Sequence, residues 1–186
     1  MNAYSGKAQP YLDAIAAAIF VSREARDWLI AGASAAATYR GADVLIEEQR
    51  AVRWRGKATR QPFWANYHCG RDGACACRIE GSRSLESDAI FFLRNAAGRV
   101  LAAHVEFKHP REPFRPGQPE GYPLRAACFA RTHASRPTLN AHDDWTTILF
   151  CDEAARADPR SAHFQRVITH AEAARTIPAY PDSWRR

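Results

Sequence analysis

Two apolar segments joined by a four-residue turn constrain this chain more than any other stretch. Asp88 to Arg94 is rich in Ile, Phe and Leu, and Arg99 to Lys108 reads as a longer strand. Asn95 to Gly98 lies between them and ends on a glycine suited to a left-handed backbone. The pattern predicts an antiparallel hairpin. Alternate residues of a strand share a face, so Leu101, Ala103, Val105 and Phe107 form an apolar side while His104, Glu106 and Lys108 share the other. In such a hairpin the start of the first strand lies near the end of the second, which brings Asp88 toward Glu106 and Lys108.

The rest of the chain places this hairpin in a larger sheet. Tyr11 to Val21 has apolar residues at helical spacing behind Pro10, and a second helix is expected after Ser22. Gly41 interrupts the pattern, and Ala42 to Trp54 reads as a further helix. Gln61 to His68 has strand-like aromatic content, Ala76 to Glu80 a second short strand, and Gly81 to Ser87 a loop. Beyond the hairpin, prolines at 110, 113, 116, 119 and 123 predict a loop over His109 to Pro123. Leu124 to His133 reads as a helix, Trp145 to Cys151 as a strand, Ser161 to Thr176 as a helix, and Pro178 to Arg186 as an irregular tail. The order implies an α/β (α+β-like) sandwich, a mixed central β-sheet flanked by helices. With 186 residues the expectation is one domain, with a helical N-terminal part (1–41), a core (42–151) and a C-terminal helix and tail (152–186).

Composition narrows the partners. The 26 basic and 20 acidic residues leave a net charge of +6, which suits a polyanion such as nucleic acid. No apolar run approaches the roughly 18 residues that span a bilayer, so no membrane partner is expected. The first nine residues lack the order of a signal peptide, and the expectation is a cytoplasmic protein. Five cysteines, an odd number, argue against a disulfide framework. Cys128 and Cys151 sit among apolar residues as expected core thiols. His68, Cys69, Cys75 and Cys77 are of the types a structural zinc prefers, but their spacing is not a paired Cys-x2-Cys knuckle, and free thiols near a turn are the competing reading.

The chemistry points back to the hairpin. Two close carboxylates repel, and a divalent cation with oxygen ligands relieves the repulsion. Such an ion can bridge a scissile phosphate and activate a water molecule. Lysine occurs only at positions 7, 57 and 108, so one of three ammonium groups in an Arg-rich chain stands beside Glu106. Ser87-Asp88, seventeen intervening residues and then Glu106-Phe107-Lys108 resemble the motif of the PD-(D/E)xK nuclease superfamily, with Ser87 where the family has proline.

The resemblance implies a restriction-endonuclease-like or RecB-like core over roughly residues 42 to 151. It implies Mg²⁺ or Mn²⁺ at Asp88, Glu106 and the Phe107 carbonyl, with Lys108 orienting the attacking water. Many members add a glutamate from the helix before the sheet; Glu48 is preferred to Glu47 because it shares a helical face with Val44, Leu45, Ala51 and Val52. RecB-like branches carry Gln-x-x-x-Tyr after the motif, a spacing met by Gln118 and Tyr122. Arg111, Arg115 and Arg125 border the implied mouth and would hold phosphates of DNA, and a homodimer is compatible with that arrangement. A nuclease-like binding or assembly module without catalysis is the alternative. A minor alternative is an HD-type metal phosphohydrolase, from His142-Asp143-Asp144.

Overall fold

In a computed structural model, which describes residues 6–54, 62–69, 77, 79, 86–133 and 136–185, the hairpin is the centre of a six-stranded mixed sheet. Strands β3 (Glu86–Arg94) and β4 (Val100–Phe107) pair antiparallel from Ala89↔Val105 to Arg94↔Val100. At the turn, the Asn95 side-chain oxygen accepts from the Ala97 and Arg99 amides, and Gly98 adopts a φ of +81°. Strands β5 (Asp144–Cys151) and β6 (Arg166–Thr169) extend the sheet in parallel beyond β4. Strands β1 (Asp43–Val44) and β2 (Ala65–His68) share the outer edge of β3, one at each end.

Helices cover both faces. Helix α1 (Gln9–Val21) has a proline in its first turn, and α2 (Arg23–Ile30) is capped by Ser22, whose hydroxyl accepts from the Ala25 amide at 3.0 Å. Tyr11, Ile15, Ile19 and Leu29 of these helices pack with Phe91, Val105, Phe107 and Phe150 of the sheet. Helix α7 (His170–Thr176) closes the same layer with Ala173, and Ile177 and Tyr180 follow it. Helix α5 (Gln118–Thr132) covers the opposite face, where Phe129 meets Ile90, Phe92 and Ala102 and Tyr122 meets Leu149. Enclosed by strands on both edges and helices on both faces, β4 is buried along its whole length. The expected mixed sheet flanked by helices is what this chain forms. The short helices α3 (Ala36–Tyr39) and α6 (Glu153–Ala157) complete the connections. No helix among the described residues is long and apolar enough to cross a membrane.

Three expected elements differ. The helix expected over Ala42 to Trp54 begins later, because Asp43 and Val44 pair with β3 and the Leu45 amide donates to the Phe92 carbonyl; α4 spans Ile46–Trp54. The proline-rich loop ends sooner, because α5 starts at Gln118. Pro119 falls in its first turn, where an amide has no helical partner to lose, and Pro123 removes only one bond from the second turn. The helix expected over Ser161 to Thr176 is a 3-10 turn, then β6, then α7, since Arg166 to Thr169 complete the sheet against Ile148 to Cys151. Of the strand expected over 76–80 only residues 77 and 79 are described, and 81–85 lie outside the described residues.

The later start of α4 rotates Gln49 inward. Its side-chain amide donates to the Tyr67 hydroxyl at 3.0 Å and to the Ile90 carbonyl at 2.7 Å, with no exposed surface. Glu48 points outward, half exposed, paired with Arg94 at 3.0 Å. Gln49→Ala is therefore expected to destabilise the fold by about 1–3 kcal/mol, through a buried carbonyl left unpaired. Glu48→Ala should change stability by less than about 0.5 kcal/mol. Urea unfolding of the two variants checks the orientation, and the reverse order would refute it.

Candidate active site

The ladder between β3 and β4 ends at Ala89↔Val105, and the same register places Asp88 beside Glu106. There the Asp88 side chain takes over from the main chain: its carboxylate accepts the Phe107 amide at 2.8 Å. Glu106 and Lys108 are buried, with 3% and 1% of their surface exposed. The Lys108 ammonium lies 3.7 Å from Glu106 and 3.3 Å from Glu112, four residues on. The second Glu112 oxygen accepts the His109 amide at 3.2 Å, folding the loop back over Lys108, and the Phe114 ring lies 5.8 Å from the ammonium. Asp88, Glu106 and Lys108 are thus brought together at one end of the central strands.

Helix α5 closes the site from its N-terminal turn. Gln118 donates to Glu106 at 2.5 Å and accepts the Arg115 amide at 3.2 Å. One turn later the Tyr122 hydroxyl donates to the Val105 carbonyl at 2.7 Å. Both members of the Gln-x-x-x-Tyr pair therefore reach the carboxylate strand, and the helix that carries them tolerates its prolines. Arg125 departs from expectation. It is 1% exposed, stacks 4.8 Å from the Tyr122 ring centre and donates to the Glu86 carbonyl. A guanidinium so enclosed lines the inside of the site rather than an outer mouth. Arg111 and Arg115 stay exposed on the loop. The Arg111 amide donates to Asp152, and its side chain borders a cleft of about 180 Å³ shared with Glu112, Phe114 and Arg160.

Burial decides the protonation of the pair. Loss of water raises the Asp88 pKa well above the usual carboxylate range, and the neighbouring Glu106 raises it further against the pull of the Phe107 amide. Glu106 is pushed up to about 7 by burial, opposed by Lys108 and Arg125. Two adjacent carboxyl groups with raised pKa values have the oxygen chemistry a divalent cation would exploit.

The sequence did not disclose two supports. Glu112 carried a faint signal, as the first acid after Lys108 in the loop. His170 carried none, being 62 residues from the lysine it holds. Its Nε2 lies 3.0 Å from the Lys108 carbonyl and its Nδ1 2.8 Å from the Tyr180 hydroxyl. A carbonyl only accepts, so Nε2 bears the proton and Nδ1 accepts from Tyr180. Burial pushes the ring pKa down to about 4, which keeps it neutral. His104 shares the Glu106 face but is a core histidine, 3.2 Å from the Ser87 hydroxyl and stacked on Phe129.

Other expected residues fall elsewhere. Glu48, with its partner Arg94, stands six residues along β3 from Asp88, about 20 Å away at strand spacing. It cannot join the carboxylate pair. The Phe107 ring turns to the opposite face against Tyr11, so only its main chain could serve the carboxylate side. His68 faces Glu86 at 3.6 Å instead of the thiols, and Cys75 lies outside the described residues. Cys69 and Cys77 do meet, and the third thiol beside them is Cys128, which is buried in the apolar core as expected. Cys151 is a buried thiol pushed up to about 12 by loss of water. His142 is buried against Phe92 and His133, while Asp143 accepts the Val100 amide at 2.7 Å and Asp144 pairs with Arg99 at 2.7 Å. These acids secure strand ends, and the sheet is not the all-helical fold of the HD-type enzymes.

Comparison with protein-family models, with curated proteins and with solved structures finds no match to this chain.

The raised carboxyl pKa has a consequence for stability. The folded chain keeps a proton on Glu106 up to about pH 7, whereas the unfolded group releases it near 4.5. The folded state therefore loses stability as pH rises from about 4.5 to 7, and Asp88 acts in the same sense. Urea unfolding across this range in EDTA should show that decline in the parent chain and a shallower one in Glu106→Gln. Equal slopes would contradict the assignment.

Proposed function

We propose that this chain is a metal-dependent nuclease that hydrolyses phosphodiester bonds, with DNA as its substrate. The observation that carries the reading is the buried Lys108 ammonium beside Glu106 and Asp88, where the central strands end. A buried lysine between carboxylates is costly, and perturbed ionisable groups gathered in one place mark functional sites. The order α4, β2, β3, β4, α5, β5 supports the resemblance to the PD-(D/E)xK superfamily, as does the reach of Gln118 to Glu106.

In this reading Asp88, Glu106 and the Phe107 carbonyl hold Mg²⁺ or Mn²⁺, which when bound polarises the scissile phosphate and acidifies a water molecule. Lys108 orients that water and offsets charge on the phosphate oxygens. Gln118 fixes the rotamer of Glu106, and Tyr122 ties α5 to β4 beneath it. Arg125 supplies a fixed positive charge from the interior, while Arg111 and Arg115 hold flanking phosphates.

One observation favours the second reading, a nuclease-like binding module without catalysis. Asp88 is engaged by an amide, Glu106 by Gln118 and Lys108 by Glu112, so groups of the chain itself already partner each member of the cluster.

Nicking of supercoiled plasmid and degradation of single-stranded DNA separate the two. Cleavage should require Mg²⁺ or Mn²⁺, cease in EDTA, and fall at least about a hundredfold in Asp88→Ala and Lys108→Ala. Mg²⁺ should also raise the melting temperature more at pH 8 than at pH 6, since it competes with protons for the carboxylates. DNA retained in gel shifts without cleavage would favour the binding module.

A further inference from the structure

The thiols of Cys69, Cys77 and Cys128 converge from three separate parts of the chain. Cys69 follows β2, Cys77 belongs to the connection toward β3, and Cys128 lies on α5. All three are buried. The sulfurs of Cys69 and Cys77 are 3.2 Å apart, those of Cys69 and Cys128 are 3.6 Å apart, and all three lie within 4.8 Å of one another. Sulfurs bound at about 2.3 Å around a tetrahedral zinc are separated by about 3.8 Å, so small side-chain adjustments bring this cluster to that geometry. The Arg136 guanidinium donates to the Cys69 sulfur at 3.5 Å and places a positive charge beside the cluster.

We propose that these three cysteines form a structural zinc site. Soft thiolates select zinc over the hard cations suited to the carboxylate pair. The three sulfurs occupy three tetrahedral positions and leave the fourth to a further ligand. The consequence is mechanical. Cys77 and Ile79 already lie against α5 at Gly121, where an added methyl group would sit 3.8 Å from the Ile79 side chain and 4.0 Å from the Cys77 carbonyl. A zinc ion shared with Cys128 pins Cys77 to the helix that presents Gln118, Tyr122 and Arg125. Zinc binding stands apart from the nuclease reading and does not depend on it.

The test uses the full chain, purified without added metal and exchanged against EDTA before elemental analysis. About one zinc per chain is expected, with an intense thiolate-to-cobalt charge-transfer band after replacement by Co²⁺. Cys69→Ser, Cys77→Ser and Cys128→Ser should each lose most of the zinc, while Cys151→Ser retains it. Wild-type metal content and the cobalt spectrum need no variant to fold, so they keep the proposal testable if the serine variants do not. Protein without zinc that also gives no thiolate–cobalt band on reconstitution would overturn it. So would a Cys69–Cys77 disulfide seen by mass spectrometry in freshly purified protein.

Discussion

Burying the Lys108 ammonium beside Glu106 is the demanding step on which the rest of the site depends. Each charge removed from water costs several kcal/mol, and mutual attraction offsets that only when the remaining hydrogen-bonding positions are filled. Here they are filled from several directions. Gln118 donates to Glu106, Glu112 accepts from Lys108, and the Phe107 amide between them is taken by Asp88. His170 holds the Lys108 carbonyl from the other layer. In a low-dielectric setting these contacts reinforce one another, and removing one strands a charge. The network is therefore better regarded as one unit than as separate pairs.

The topology exists in a form that can deliver those partners. The antiparallel hairpin puts Asp88 next to Glu106, and the parallel crossover from β4 to β5 brings the start of α5 to the same end of the sheet. That helix must begin with Gln118, and Pro119 immediately after it favours the first turn without sacrificing a bond. On the far side, β6 runs parallel to β5 and feeds α7, whose first residue is His170. The N-terminal helices complete the support: the Tyr11 ring lies 4.9 Å from Phe107 and 5.2 Å from Tyr180, buttressing the strand end that carries Lys108.

What could be read in the sequence was what depends on local parity. Residues 103 to 108 alternate strictly, so the shared face of His104, Glu106 and Lys108 follows from the chain alone, and the hairpin turn sets which Asp meets them. Helical phase is less forgiving. A residue turns by about 100° around a helix, so moving the start of α4 past the β1 pairing exchanged Glu48 for Gln49 on the inner face. Proline warned against a helix at 119–123, but its effect depends on position, and a first-turn proline is compatible with one. Strand β6 was missed because four residues gain strand character only from the partner β5. The thiol cluster unites residues 59 positions apart, and no spacing rule on adjacent cysteines would have selected Cys128.

Within the proposed nuclease, the same contacts that close the network also show how it would open. Asp88 accepts a neutral amide and is half-buried, so a cation would reach it first, at the cost of the proton its raised pKa retains. Glu106 is less available, because Gln118 and Lys108 occupy its oxygen environment. A divalent cation there would displace the proton that burial retains and would repel the neighbouring ammonium. Lys108 has an alternative within reach: Glu112 is nearer than Glu106 and more exposed to solvent. Shifting the ammonium toward Glu112 would free a Glu106 oxygen while keeping the lysine charge paired and close to the reacting water. In that proposal the loop acid that the motif does not include would be the element that lets a buried lysine and a metal share one carboxylate.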